Sequence, residues 1–430
     1  MRNGGGMDDF FEVKTVEQAW KALSSSWSPA SPGVETLSLL DAVGRVLAEE
    51  VRAGEDVPPY ARSTVDGYAV LARDTFGASE ALPAMLRVAE EIPMGKISGR
   101  VLSPGEAARI STGGALPGGA DACVMLEYVT LLEDGTLLVE RPVAPGENVV
   151  ERGEDISRGE QVLPAGRILG PYELGALAAV GETRVKVVKK PTVAVISSGD
   201  ELVPAEATPA PGEIRDINSW SLAASVISAL GTPVVLGIAR DTCEDVGKLV
   251  GDALETCDLV VISGGSSVGT RDVVMKVISD LGPPGVVVHG VAVKPGKPVI
   301  LAVCKGKPVF GLPGHPVSCL VAFDLFVRPA IARTYEVALG LLPQRPGYGF
   351  VAAKLSRNVP SAAGREDHIR VRLREEEGVL WADPVLGKSG LISLMVKSDG
   401  EIVVPLEREG LRAGEEVPVR LTSSAFPLPP

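Results

Sequence analysis

Apolar positions along this chain change their spacing repeatedly. Between residues 15 and 50 they recur at helical intervals, with Val16, Ala19 and Leu23 on one face and Leu37, Leu40 and Val43 on another. From 51 to 156, short apolar runs alternate with turn clusters such as LSPGEAARISTGGALPGGAD and VAPGENVVERGEDI, which predicts short strands. RILGPYELGALAAVG returns to helix, with Pro171 in its first turn. From Lys190 the two patterns interleave. Strand TVAVIS is followed by helix NSWSLAASVISAL, strand PVVLGI by helix CEDVGKLVGDALETC, and strand LVVIS by a helix with Val274, Val277 and Ile278 on one face. VVVHGVAV, PVILAVC and PVFGLPG then precede a helix from Val317. Beyond Leu342, short strands return in GFVAAKL, HIRVRLRE, GEIVVPL and EEVPVRL.

Strands separated by helices predict right-handed crossovers and a parallel sheet. The fold class expected is α/β multidomain, with a central doubly wound, mostly parallel sheet, flanking β-rich domains and a small, β-barrel-like domain at the C-terminus. The boundaries read as 15–50 plus 157–190 for an elongated helical and linking domain, 51–156 for an inserted β-rich domain, 191–338 for the α/β domain and 342–424 for the last. No internal repeat or low-complexity segment interrupts this order.

Composition narrows the function. Aromatics are only 4% against 45% apolar residues, so small aliphatic side chains must do the packing. The net charge of −13 argues against general nucleic-acid binding; an anionic ligand must be held by local features against the overall field. Cys123, Cys243, Cys257, Cys304 and Cys319 form no CxxC pair and read as buried thiols rather than zinc ligands. No apolar run is long enough to span a membrane and no signal peptide is evident, so a cytoplasmic location with no membrane partner is expected. Asn and Gln are scarce, which leans towards a thermophilic source.

Candidate chemistry gathers where ligands of parallel sheets bind, at the carboxyl ends of the strands. VVISGGSSVGTRD (260–272) runs from a strand buried on both faces, through a loop of Gly264, Gly265, Ser266 and Ser267, into a helix. Such a loop points backbone N–H groups and a helix N-terminus at an anion, though a tight strand-to-helix turn alone gives the same pattern. It is neither a P-loop nor GxGxxG. Asp272 follows it, Asp200 and Glu201 end the first strand, Asp241 the second, and Lys294 and Lys297 sit in KPGKP after the fourth. Hard carboxylate oxygens suit Mg²⁺ and ammonium groups suit phosphate, so the set fits a phosphate-bearing ligand held with a divalent cation.

SGGSSVGTRD, KPGKP and GLPGHPVS resemble the molybdopterin molybdenumtransferase family, which includes bacterial MoeA and the gephyrin E domain. VPPYARSTVDGYAV (57–70), ARISTGGALPGGADACVMLE (108–127), GENVVERGEDISRGE (146–160), ISSGDELV (196–203) and GEIRDINSWSL (212–222) resemble further motifs of that family, in its order. HIRVRL and KSGLISLM match more loosely. The resemblance implies a central domain of the molybdopterin-binding type and the last step of molybdenum cofactor synthesis. Adenylylated molybdopterin and molybdate or tungstate would be the substrates, AMP would be released, and Mg²⁺ would assist. It also implies a homodimer whose active cleft is built from two chains, and transient contact with the molybdopterin adenylyltransferase.

By motif, the catalytic residues implied are Asp66, Thr112, Asp155, Glu201 and Asp272, with Glu201 and Asp272 holding the metal. Gly264, Gly265, Ser266, Ser267, Lys294, Lys297, Pro313, His315, Pro316, Arg370 and Ser389 would bind the cofactor precursor or the oxyanion. Local readings stand beside these. Asp66 before Gly67 suits an Asx turn, Thr112 suits a backbone hydrogen bond, Pro313 and Pro316 suit a turn and a helix start, and Arg370 and Arg372 suit a solvated strand face. His315 stands where Asn is common in the family, Val273 where an aromatic or His is common, and Thr64–Val65 where Ala-Met is common. Two other functions compete: the adenylyltransferase of the preceding step, which shares the α/β domain, and a gephyrin-like scaffold. The flanking domains favour metal insertion.

Overall fold

A computed structural model describes residues 13–264, 268–340 and 349–422. It divides into two units. Of the described residues, one holds 13–35, 44–48 and those from 186 onward; the other holds 36–43 and 49–185.

The first unit is built on a six-stranded sheet. Its strands are β1 (Thr192–Ser198), β2 (Thr232–Ala239), β3 (Leu259–Ser263), β4 (Gly285–His289), β5 (Ile300–Cys304) and β6 (Lys307–Leu312), in the spatial order β2-β1-β3-β6-β5-β4. β1 pairs in parallel with β2 and β3, and β3 with β6. Helices α1 (Asn218–Ser228), α2 (Cys243–Thr256) and α3 (Val268–Asp280) make the crossovers. Val246, Val250, Ala253 and Leu254 place one face of α2 in the core, and Thr242 caps its first turn by accepting from the Asp245 amide at 3.2 Å.

Two features give the mostly parallel sheet its antiparallel part and its break. β5 runs antiparallel to both β4 and β6. Lys305 (φ 50°) and Gly306 (φ 74°) form a two-residue turn between β5 and β6; two positive φ values in succession join antiparallel strands and leave no room for a crossover helix. VVVHGVAV is also not one strand. It stops at Gly290 (φ 93°), and Val293–Lys294 leaves the sheet to pair in parallel with Glu366–Asp367. Lys294 therefore ends a two-residue strand paired with the barrel, and Lys297 lies on the connection that returns to β5, so neither ends a strand of this sheet.

That next domain is a closed five-stranded barrel. β7 (Phe350–Leu355), β8 (Glu366–Glu376), β9 (Val379–Pro384), β10 (Gly400–Val404) and β11 (Glu416–Leu421) follow the order β8-β9-β7-β11-β10, and β10 returns to β8. Closure leaves none of the five with a free edge of its full length. Leu355, Val371, Ala382, Val404 and Val419 fill the interior.

At the N-terminus of the same unit, helix Val16–Ser26 is held by a reciprocal cap. The Thr15 amide donates to Gln18 Oε1 at 2.9 Å, and the Gln18 amide to Thr15 Oγ1 at 3.2 Å. Ala19 and Leu23 are its buried face. The second helical stretch expected before residue 50 is absent: Val34–Ser38 is a strand, turns follow it, and Leu40 is exposed.

The second unit carries a six-stranded sheet in the order Ala122–Met125, Gly67–Val70, Glu106–Ile110, Ala84–Glu91, Thr136–Val139, Val129–Leu131. Helix Pro171–Ala179 begins on its proline. Of the cysteines, Cys243 is exposed at the first position of α2, contrary to the expectation that all five are buried. Among the described residues no helix is long and apolar enough to cross a membrane.

Candidate active site

The carboxyl edge of the sheet is polar and closely packed. Ser197 on β1 and Ser263 on β3 are paired in register. The Ser197 hydroxyl donates to Asp216 Oδ1 at 2.9 Å and lies 3.0 Å from the Ser219 hydroxyl. Asp216 also accepts from the Ser219 amide at 3.1 Å, which fixes the first turn of α1 to the strand ends. Asp216 lies within GEIRDINSWSL but carries no distinct signal in the sequence, because an acid two residues before a helix looks like an ordinary cap. Next to this cluster, Ser198 donates to Asp241 Oδ1 at 2.5 Å, and the Asp241 amide donates to Asp200 Oδ1 at 3.2 Å. A cleft of about 650 Å³ opens here, lined by Asp200, Asp216, Ser219, Trp220 and Arg240 among others.

Gly264 begins the loop after β3. Its φ is 153°, and a Cβ there would meet the Ser198 carbonyl oxygen at 2.4 Å, so only glycine fits. Gly265, Ser266 and Ser267 lie outside the described residues. Asp272 is exposed on the second turn of α3, and Glu201 is exposed after β1. Neither lines the cleft just described, and among the described residues no group of three or more His, Cys, Asp or Glu is placed to hold a metal. The two carboxylates are hard oxygen donors of the kind that take Mg²⁺ together with substrate phosphates.

A larger cleft, about 800 Å³, lies in the same unit between the sheet domain and the barrel. Lys294, Lys297, Pro313, His315, Arg370 and Ser389, singled out from sequence positions almost a hundred residues apart, all line it. Pro316 is the first residue of helix Pro316–Ala322, between the lining residues His315 and Val317. His315 Nδ1 is 3.0 Å from the Ser389 hydroxyl, and the Val317 amide donates to the Ser389 carbonyl at 3.1 Å. These bonds join the GHPVS turn to the KSG turn, so His315 links the two domains through the ring nitrogen facing Ser389. Arg365, His368 and Lys388 add to the lining. The cleft is thus strongly cationic in a chain of net negative charge.

Arg370 is not on a solvated face. It is 4% exposed, whereas Arg372 is exposed. Arg370 Nη2 lies 3.3 Å from Glu401 Oε2. His368 Nδ1 is 3.1 Å from Glu401 Oε1, which also accepts from Arg420 Nη2 at 2.8 Å. Burial opposes the charge on His368, but its carboxylate partners outweigh burial and raise it to about 9. Glu366, 3.7 Å from Nε2, and Glu401, 3.1 Å from Nδ1, both contribute. For Glu401, burial pushes upward, yet His368, Arg370 and Arg420 hold it at about 2. His368 and Glu401 are not marked out in the sequence, because both sit in strands that look like plain alternating β.

In the second unit, the Thr112 amide and hydroxyl both donate to Asp66 Oδ1, at 2.7 and 3.2 Å. The pair is exposed. Gly67 follows because a Cβ would meet the Val124 carbonyl oxygen at 1.9 Å, and Gly113 has φ 82°. Asp155 is exposed in the same unit, its amide bound to the Val57 carbonyl at 3.1 Å.

Three family profiles match the chain: the MoeA N-terminal region (domain I and II) at 14–181, a probable molybdopterin binding domain at 194–333, and the MoeA C-terminal region (domain IV) at 352–422. A Methanocaldococcus jannaschii protein whose name places it in molybdopterin biosynthesis is 34% identical over 95% of this chain and 97% of its own. The molybdopterin molybdenumtransferase of Bacillus subtilis is 34% identical over 90% and 89%. A crystal structure of a MoeA protein of molybdopterin biosynthesis from Pyrococcus horikoshii superposes with a TM-score of 0.80 at 41% identity, over 95% of this chain and 99% of that one.

Proposed function

The chain belongs to the molybdopterin molybdenumtransferase family, and on that premise we propose that it joins molybdate or tungstate to adenylylated molybdopterin and releases AMP. The observation that carries this reading is the cationic cleft: lysines of the 293–298 connection and an arginine of the barrel face one space of about 800 Å³. A tetrahedral dianion and a diphosphate need such donors. Lys297 and Lys294 would hold oxyanion or phosphate oxygens, with Lys294 kept in place by Asp367 at 3.6 Å. The Ser389 hydroxyl would donate to the same anion, and His315 would orient it. Pro313 and Pro316 shape the wall and keep the turn rigid.

Mg²⁺, when bound, would offset the negative charge of the diphosphate. Glu201 and Asp272 would hold it, with substrate phosphates completing the shell. On the other unit, Asp66 and Thr112 form one exposed acceptor–donor pair, and Asp155 a second acid. We assign them to the pterin side of a composite site in a homodimer, where each unit's residues meet those of the partner chain. Transient contact with the adenylyltransferase that makes the substrate and a cytoplasmic location complete the proposal.

The direct test supplies adenylylated molybdopterin with molybdate and follows AMP by chromatography. Lys297→Ala should slow oxyanion-dependent AMP release by about tenfold or more, the loss expected for one charge-assisted hydrogen bond. An unchanged rate, with only a lower melting temperature, would reduce Lys297 to a structural residue.

A further inference from the structure

The strand β8 turns two faces to different surroundings. Ile369, Val371 and Leu373 pack with the barrel core, so His368 and Arg370 point the other way. That outer face is buried all the same, and both residues line the cleft. Glu401 stands opposite Arg370 in the β8–β10 register and is 1% exposed. One carboxylate thus meets three cationic side chains: His368, Arg370 and Arg420. Arg420 is shared in turn with Asp324 at 3.2 Å, itself paired with Arg328 at 2.9 Å. Arg370 Nε and Nη1, His368 Nε2 and the Glu401 Oε2 that faces Arg370 are buried without a hydrogen-bond partner from the protein. Orphaned donors on a buried cation are costly unless an anion reaches them.

We propose that His368 is a positioning residue of the anion subsite: while protonated it offsets the Glu401 charge through Oε1, weakens the pull of Oε2 on the Arg370 guanidinium, and so leaves Arg370 available to a tetrahedral oxyanion. The inference rests on the cationic-cleft reading and adds to it a residue and a switch. When His368 loses its proton, Glu401 keeps more of its charge for Arg370, draws the guanidinium toward itself and competes with the ligand. The surroundings favour the charged state at neutral pH, because Glu401 and Glu366 together outweigh burial. The other cationic groups at this wall are Lys294, Lys297, Arg365 and Lys388, with the His315 ring beside them. Arg365 is already tied to Asp367 at 2.8 Å.

The test uses the full chain and inorganic molybdate, tungstate or phosphate, titrated by calorimetry without adenylylated substrate. Failure here therefore leaves AMP release unaffected, and absence of AMP release leaves this result standing. Wild-type affinity for molybdate or tungstate should be constant near neutral pH, and affinity for any of the three, phosphate compared only above its own second ionisation, should weaken as pH crosses about 9. His368→Gln should bind roughly tenfold more weakly at neutral pH and show no break near that value. Glu401→Gln should move the break down toward the ordinary histidine range, a shift that a purely structural role would not produce. Preference for molybdate over phosphate would mark the subsite as the metal oxyanion's, and the reverse as the substrate phosphate's; either supports the positioning role if the break is present. A wild-type affinity that does not change across pH 9, or a His368→Gln chain that keeps the same break, overturns the proposal. Should His368→Gln fail to fold, the wild-type and Glu401→Gln profiles decide between His368 and the lysines.

Discussion

Asp272 and Lys297 are predicted to fail in different ways when replaced. Asp272→Asn keeps the size of the side chain and removes its charge, so the fold should persist by circular dichroism while Mg²⁺-dependent turnover is lost. Full activity at ordinary Mg²⁺ would contradict its role. His368 gives a stability signature of its own. Its value is raised from 6.5 to about 9 in the folded chain, so its contribution is complete below 6.5 and fades as pH rises through 9. The melting-temperature gap between wild type and His368→Gln should accordingly be widest in mild acid and close in base. Glu401 runs the opposite way: held at about 2, it stabilises above its ordinary 4.5 and is lost only as pH falls toward 2. At this scale the sequence reveals the exposed, motif-borne residues and hides the buried ones. Lys294, Lys297 and Ser389 stand in Gly- and Pro-rich turns that look built for a ligand. Glu401 and His368 become chemical only because β10 and β8 bring them within 3.1 Å, a long-range pairing that no local pattern announces.

Elements that carry a strong period were legible, and those set by a turn were not. α2 shows its buried face in the spacing of Val246, Val250 and Ala253, and β3 shows burial on both faces in its unbroken aliphatic run. β5 has the same aliphatic run, yet its direction is set by Lys305–Gly306, a two-residue signal easily passed over between PVILAVC and PVFGLPG. The residues after 34 fail for another reason: Leu37, Leu40 and Val43 have helical spacing by chance in a strand and turn. Glycines give the firmest test of an element. Gly67→Ala would drive a Cβ into the Val124 carbonyl on the neighbouring strand, and a loss of roughly 3 kcal/mol of stability is expected from such a backbone clash. Denaturant unfolding measures it directly; a near-neutral result would mean the strand pair can spread without cost.

At the scale of the molecule, the two units carry complementary halves of the proposed chemistry, with Asp66 and Thr112 on one and the cationic cleft on the other. If they meet across a homodimer, Asp66→Ala and Asp272→Ala chains are each inactive alone but recover activity on subunit exchange. One cleft of each mixed dimer then carries both lesions and the other neither. Random exchange makes about half of the dimers mixed, so roughly a quarter of wild-type activity should return, with the mixed species verified by native mass spectrometry. Verified mixed dimers without activity would place Asp66 in its own chain's site. All of this depends on the reaction itself. The most direct measurement is a single turnover of the wild-type protein on adenylylated molybdopterin, with AMP counted in the presence and absence of oxyanion. The account predicts one AMP per cofactor formed when molybdate or tungstate and Mg²⁺ are present, and almost none without the oxyanion. AMP release that ignores the oxyanion, or no release with it, would contradict metal insertion as the function.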